Sequence, residues 1–475
     1  MAYNNLVWRK YMSKNSMRKI SGLKRTLLIM ILLAVLFSGC SFREGSEEFD
    51  SIIDRITGFV GLSRESQTGQ TAPIVSATGS VQGATKSAAE SEQVLTATPE
   101  PTPAVYSMQL WVPPQFDTEQ DTPAGKALTE VIQTYTKEHP NVTISVRVKA
   151  TTGDSNMVNT IYAANHVAKP VMPTLALMSR SDMETSFQRN LLQPMTTSVF
   201  SDSGSWYNYA RQSSVVDNNV YGIPVFGDGL VLTYRVSKIG AELGDWQDIL
   251  GRGLPIGFAP YSSSSLFGTF MYLSMGGKLI NDQGQPYLDQ QKLTDSLNFF
   301  LNGGKNGSFP PSIAQLSDQS QVWQRFNDGT FPMIVTNFSS YRHYLSPEIS
   351  AVSLPLHEGI SNYPLVSTWN MVMLETDPLV QAEALKFVEY LCDESINPEL
   401  AFSAGYLPVR VSDGEQWDDT PEYGIIKTMS ENGSLVPNNN VANKIYMIIN
   451  NAVTQVIKNQ STPEDAARDA ITSLN

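Results

Sequence analysis

The segment Tyr221–Arg235 constrains the chain more than any other, because strand and helix patterns alternate both before it and after it. Its two runs, 221–226 and 230–235, are apolar and strand-forming. Gly227-Asp228-Gly229 between them lets the backbone take positive φ at little cost. A hairpin within one packed body would satisfy this pattern. The alternative is a hinge, where the chain leaves one body and enters another. Apolar residues at nearly every position, and Pro224 inside the first run, suit an edge or corner and so suit the hinge.

A chain of 475 residues exceeds what one hydrophobic core organises, and part of it is not globular. Residues 1–39 carry seven Lys and Arg and no acid, then the apolar run Leu27–Phe37. That run falls well short of the roughly 20 residues of a spanning helix and reads as the core of a signal peptide. Phe37-Ser38-Gly39-Cys40 resembles the bacterial lipobox, with Phe37 where Leu is usual. The resemblance implies cleavage before Cys40 and its acylation by palmitate-type chains, which would hold the protein at the outer membrane face. Two or more chains hold stably where one holds marginally. A secreted protein with an incidental cysteine is the alternative. Loss of residues 1–39 moves the formal charge from −13 to −20, which argues against nucleic acid and anionic lipid as partners. The other cysteine, Cys392, leaves no intramolecular disulfide for the mature chain and reads as a small buried residue.

Residues 40–104 form the expected acylated cysteine and a flexible tether rich in Ser, Thr, Pro and Glu, with a root-mean-square reach of roughly 45 Å. Within it, Phe49–Leu62 could form a short helix. Folded structure is expected from Val105. Strands over Tyr106–Val112, Val142–Val148 and Thr174–Met178 alternate with helices over Ala124–Glu138 and after a cap at Asp154, the pattern of a parallel sheet. Ligands on such sheets sit past the carboxyl ends of strands, which places Trp111–Phe116 and Ser179–Asp182 at a prospective rim.

Beyond Arg235 the alternation restarts. Strands are expected at Leu254–Ala259, Phe331–Asn337, Ile349–Leu354 and Ser367–Leu374, and helices at Leu266–Met275, after Asp289, after Asp377-Pro378, and at Val441–Lys458 and Pro463–Leu474.

The chain lacks the common phosphate-loop, dinucleotide, nucleophile-elbow and zinc-protease motifs, and no two of its four histidines lie i,i+4. No catalytic residue, cofactor or metal is therefore expected, although plentiful acids leave a paired-carboxylate glycosidase open. Aromatic residues at strand ends are more informative. Trp111, Phe226, Tyr261, Phe267, Tyr341 and Trp369 could lie against sugar rings or simply fill cores. Asp228 either shapes its own turn or faces a cleft, and Arg180 with Asp182 reads as a surface ion pair or a ligand contact.

The ordered set of segments resembles the bacterial extracellular solute-binding proteins related to maltose-binding protein. It includes Tyr135-Thr-Lys-Glu-His-Pro-Asn-Val-Thr-Ile144, Tyr221-Gly-Ile-Pro-Val225, Phe326-Asn-Asp-Gly-Thr-Phe-Pro-Met333, Ala384-Leu-Lys-Phe-Val-Glu-Tyr-Leu391 and Tyr406-Leu-Pro-Val-Arg410. Pro173-Thr174 departs from the Pro-Asp many members carry. The resemblance implies an α/β, two-lobed periplasmic-binding-protein-like fold of type II, each lobe a mostly parallel sheet flanked by helices, joined by hinge crossovers. Residues 105–226 would begin the N-lobe, 227–366 form the main C-lobe, 367–400 return to the N-lobe, and 401–475 supply helices packed mainly on the C-lobe. It further implies a monomer that takes a mono- or oligosaccharide between its lobes and hands it to the permease subunits of an ABC importer. Ligand contacts carried over are Trp111, Gln115, Arg180, Asp182, Phe226, Asp228, Tyr261, Ser264, Phe267, Tyr341, Trp369 and Asn370. A polyamine, peptide or organophosphate ligand, a sensory or adhesion role, and a secreted carbohydrate-active enzyme are the alternatives.

Overall fold

A computed structural model describes residues 104–475, apart from 168, 196–199, 201–202, 241, 261–264, 412–416 and 475. The leader, Cys40, the tether and the helix expected at 49–62 lie outside the described residues.

The first sheet grows from strand–helix alternation. Strand β1 (Tyr106–Val112) leads to helix α1 (Pro123–Glu138). Thr122 caps that helix by accepting from the Gly125 N–H, and Pro123 pre-sets its first turn. Leu128, Val131, Ile132 and Tyr135 form its buried stripe, as the spacing predicts. Strand β2 (Val142–Val148), helix α2 (Met157–Val167) and strand β3 (Leu175–Ser179) follow. The cap on α2 is Asn156, whose Oδ1 accepts from the Asn159 N–H at 2.9 Å, rather than Asp154. Helix crossovers return the chain in one direction, so β1 pairs parallel with both β2 and β3. Helix α3 (Arg180–Gln188) springs directly from the end of β3.

Strand β4 (Gly222–Asp228) is buried along its whole length, and only Gly229 separates it from strand β5 (Leu230–Arg235). The two do not form a hairpin. β4 stays in the first sheet, while β5 lies in a second one, antiparallel to strands on either side. Pro224 lacks an N–H to donate, and the ladder slips by a bulge where it stands opposite Asn370.

The second sheet contains β5, β6 (Ile256–Gly257), β7 (Met333–Asn337) and β8 (Ile349–Ser353), in the order β8-β5-β7-β6. Between β6 and β7 run helices α4 (Phe267–Ser274), α5 (Gln290–Lys305) and α6 (Gln319–Asn327). Asp289 caps α5 as expected, accepting from the Lys292 N–H at 2.8 Å. Helix α7 (Phe338–His343) follows β7 directly. This sheet is mixed rather than mostly parallel. Only β6 and β7, joined by helices, are parallel, whereas β5 arrives from the first sheet with no helical crossover and pairs antiparallel on both edges.

Strand β9 (Tyr363–Met373) is the return, and it is longer than the pattern Ser367–Leu374 suggested. It pairs antiparallel with β3 and β4. Leu365 takes a φ of 63° near a register shift, a local strain where the strand passes between the two bodies. Helices α8 (Pro378–Leu391) and α9 (Asn397–Ala404) then pack on β1, α1 and β4. Helix α10 (Tyr423–Asn432) leads to strand β10 (Gly433–Leu435), parallel to the start of β9. Helices α11 (Asn439–Ile457) and α12 (Pro463–Leu474) close against α4 and α5 of the second body. The final stretch therefore divides: α9 sits on the first body, α11 and α12 on the second. Among the described residues no helix is long and apolar enough to cross a membrane.

Candidate functional site

Between the two sheets lies a cavity of about 480 Å³, within the usual range for small-molecule sites. The first body contributes Ser179, Arg180, Asp182 and Glu184 from the β3–α3 junction, with Trp369 from β9. The second contributes Leu266, Asn337 and one face of α11, Asn439 to Tyr446. Because β3 ends at Ser179 and α3 starts at once, the first turn of α3 must project past the sheet edge. Ser179 holds that turn by accepting from the Asp182 N–H at 3.1 Å.

Arg180 is a structural anchor. Its Nε meets Glu184 Oε1 at 3.0 Å, and its Nη1 donates to the Val436 carbonyl at 2.6 Å. Glu184 Oε2 accepts from the Asn439 N–H at 2.6 Å, at the amino end of α11. Asn439 Nδ2 donates to the Ser181 carbonyl at 2.7 Å, and Ser181 Oγ donates to Asn439 Oδ1 at 2.8 Å. Burial lowers the affinity of Arg180 for its proton and raises that of Glu184, each opposed by the partner charge. Asp182, also pushed up by burial, forms no ion pair among the described residues.

Asp228 ends β4 and reaches the cavity wall, but its oxygens are taken. Oδ1 accepts from the Gly229 and Ser339 N–H groups at 3.0 and 3.1 Å. Oδ2 accepts from Ser339 Oγ at 2.7 Å and Asn337 Nδ2 at 3.2 Å. Four donors match the roughly four lone-pair sites of a carboxylate. Asp228 thus caps α7 across the gap between bodies, a task Asn337 at the cap position does not perform. Burial pushes its pKa up to about 6 against those hydrogen bonds.

The structure brings Arg180, Asp182, Asp228 and Trp369 to one cavity and, of the remaining expected contacts, places those that it describes elsewhere. Gln115 lines a separate cavity of about 330 Å³ with Ser339, His343 and Tyr406. Trp111 is buried in a small core behind the first sheet, with Met157, Ile161 and Met183. Its Nε1 donates to Gln109 at 2.6 Å, and Lys149 covers the ring. Phe226 stacks on Phe116 at 5.2 Å and packs against Tyr406. Phe267 sits among Phe258, Phe299, Phe300 and Phe309. Tyr341 is buried and donates to Glu422 at 2.8 Å. Asn370 is fully buried between Thr368 and Ser213. Phe226, Phe267, Tyr341, Asn370 and Trp111 are therefore core residues, because rings and amides at strand ends meet one another before they meet a ligand. Tyr261 and Ser264 lie outside the described residues. The sequence reading missed Asn439, Asn443 and Tyr446, whose i, i+4 and i+7 spacing on an expected helix was the available signal.

Cys392 is buried and free, its thiol pushed up by burial and directed at the Pro224 carbonyl. Among the described residues no group of His, Cys, Asp and Glu could hold a metal ion.

The profile of the bacterial extracellular solute-binding proteins matches residues 130–424. Among solved structures, maltose-bound MalE3 of T. maritima superposes with a TM-score of 0.61 at 14% identity, covering 78% of this chain and 99% of that one. The cyclic α-maltosyl-1,6-maltose binding protein of Arthrobacter globiformis gives 0.64 at 11%, covering 78% and 98%. The GacH receptor of Streptomyces glaucescens, solved unliganded and with acarbose, gives 0.59 at 15%, covering 78% and 97%. At such identities the likeness is one of fold, the bilobed architecture described above. No curated protein matches the sequence.

Proposed function

The chain belongs to the bacterial extracellular solute-binding proteins, and from that premise we propose that it captures a neutral carbohydrate between its lobes and delivers it to an ABC importer. The observation that carries this reading is the interlobe cavity, where the half-buried ring of Trp369 stands beside Asp182 and the asparagines of α11. A ring beside polar groups suits a ligand with apolar faces and hydroxyl edges. Solved relatives of this fold hold maltose, tagatose and mannobiose, which supports the same ligand class here. The charges of the cavity favour a sugar over a polyamine: Glu184 is met by Arg180 and the Asp228 oxygens are occupied, so among the described residues Asp182, hydrogen-bonded to Ser179, is the one cavity carboxylate with neither an ion pair nor a full set of donors.

In this reading residues 105–226 and 367–400 make the N-lobe and 227–366 the C-lobe, with α11 and α12 on the C-lobe. Cys40 is acylated and tethers a monomer to the outer membrane face. A ligand touching both lobes favours the closed form and shifts the population toward it, needing about 5.5 kcal/mol to invert a 99:1 ratio.

Thermal melts with maltose, mannobiose, tagatose and ribitol test the capture. A ligand at 100 times its dissociation constant adds about 2.7 kcal/mol of stability. Trp369→Ala should abolish the shift while leaving the unliganded melt cooperative. A panel with no shift refutes the carbohydrate reading. Replacing Cys40 with serine should move the protein from the membrane fraction to the medium, and retention at the membrane refutes the anchor.

A further inference from the structure

Helix α11 presents Asn439, Ala442, Asn443 and Tyr446 to the cavity, along one helical face. Of these side chains, Tyr446 carries an anomaly. Its hydroxyl is shut off from solvent and has no hydrogen-bond partner among the described residues. It lies within electrostatic reach of Arg180 and Glu184. Those two groups do not serve it, because they are engaged with each other, with the Val436 carbonyl and with the Asn439 N–H. A buried hydroxyl without a partner destabilises the fold that holds it, and phenylalanine would fill the same space without that cost.

We propose that Tyr446 is a specificity-determining residue of the interlobe cavity, its hydroxyl completing a hydrogen bond to an oxygen of the bound ligand on the C-lobe side. The assignment rests on the carbohydrate-capture reading above and adds a residue and a selection rule to it. Trp369 and Asp182 contact the ligand from the N-lobe, and Tyr446 contacts it from the C-lobe, so the ligand must bridge them. A phenol both donates and accepts, which suits a sugar hydroxyl. A site built to bond such a hydroxyl discriminates against an analogue lacking it, because the phenol is then left unpaired again.

The test compares the wild-type chain, Tyr446→Phe, Trp369→Ala and Tyr287→Phe, the last an exposed tyrosine on the second lobe that does not line the cavity. The first readout needs no ligand. Without sugar, Tyr446→Phe should melt at or above the wild-type temperature, because it removes an unsatisfied group. A lower melting temperature would mean that the hydroxyl serves the fold, and would overturn the proposal. The second readout is calorimetric titration with maltose, mannobiose, tagatose and ribitol. For any of these that binds the wild type, Tyr446→Phe should weaken binding about tenfold or more, the order expected for a lost buried hydrogen bond, with Tyr287→Phe unchanged. Unchanged affinity in Tyr446→Phe alongside lost binding in Trp369→Ala overturns the Tyr446 assignment and leaves the carbohydrate reading standing. No binding by the wild type overturns that reading, and the assignment with it.

Discussion

Asp228 makes stability depend on acidity in an uncommon direction. An acid held by cations in the folded state loses stability as pH falls, but here burial outweighs four hydrogen bonds and lifts the carboxyl from its ordinary 3.8 to about 6. The folded protein therefore binds this proton more tightly than the unfolded chain does. Its contribution worsens as pH rises from near 4 toward 6 and is flat above that. A displacement of roughly two units corresponds to about 3 kcal/mol carried at neutral pH. Tyr209 and Tyr406, which interact electrostatically with Asp228, are pushed up by burial and stay neutral throughout this window. Asp228→Asn isolates the effect. The amide oxygen can still accept from the Gly229 and Ser339 N–H groups, and the amide nitrogen can donate to Ser339 Oγ, so only the bond from Asn337 Nδ2 is lost. Urea unfolding of both proteins across the acid range supplies the comparison. Relative to the asparagine variant, the wild type should gain about 2 kcal/mol between about pH 6.5 and about pH 4.5. Parallel curves, or a wild-type loss on acidification relative to the variant, would refute the argument that burial dominates at this hinge position.

Other substitutions probe the same junction. Arg180→Met should destabilise by about 3–5 kcal/mol by leaving Glu184 buried without its partner, and adding Glu184→Gln should recover much of that loss in the same urea assay. Phe226→Ala should lower stability by about 3–5 kcal/mol through the hole left beside Phe116 and Tyr406. Sugar affinity per folded molecule should hold, and a selective loss of affinity would return Phe226 to the binding surface. Gly227→Ala places a methyl 2.5 Å from Tyr209 Oη, and its melting temperature should fall well below that of Gly424→Ala, where a methyl meets open space on an ordinary helical backbone. Equal melts would show that Tyr209 moves aside.

Local signals in the sequence located most elements and the place where the chain changes bodies. Asp289 and Asp377 cap the helices expected after them, and the apolar stripe of α1 is the one its spacing predicts. These features depend on neighbours three or four residues apart. The cavity does not. Arg180 is fixed by Val436 and Glu184 by Asn439, partners more than two hundred positions away, and no local pattern says that Tyr446 will face them. The aromatic residues misled for a physical reason. A ring apolar enough to lie against a sugar is equally suited to another ring, and where the end of β1, the strand β4 and the turn after α9 converge, Phe116, Phe226 and Tyr406 reach each other first. Asp228 was ambiguous because a carboxylate between glycines carries no record of what surrounds it. Three of its four hydrogen bonds come from Asn337 and Ser339, more than a hundred residues away at the junction of β7 and α7.

The passage between the bodies is made more than once and in closely tied segments. β4 becomes β5 through Gly229, β9 runs back beside β4, and β10 lies along the start of β9. The Tyr363 hydroxyl fastens β9 to the Leu230 carbonyl and accepts from the Leu354 N–H. Panels joined at a single point can swivel freely, whereas panels joined along a row of ties can fold but resist torsion. In the proposed role, occupancy of the cavity would set one angular coordinate, and a permease reading the outer faces of both panels would need to sense only that angle to tell a loaded receptor from an empty one.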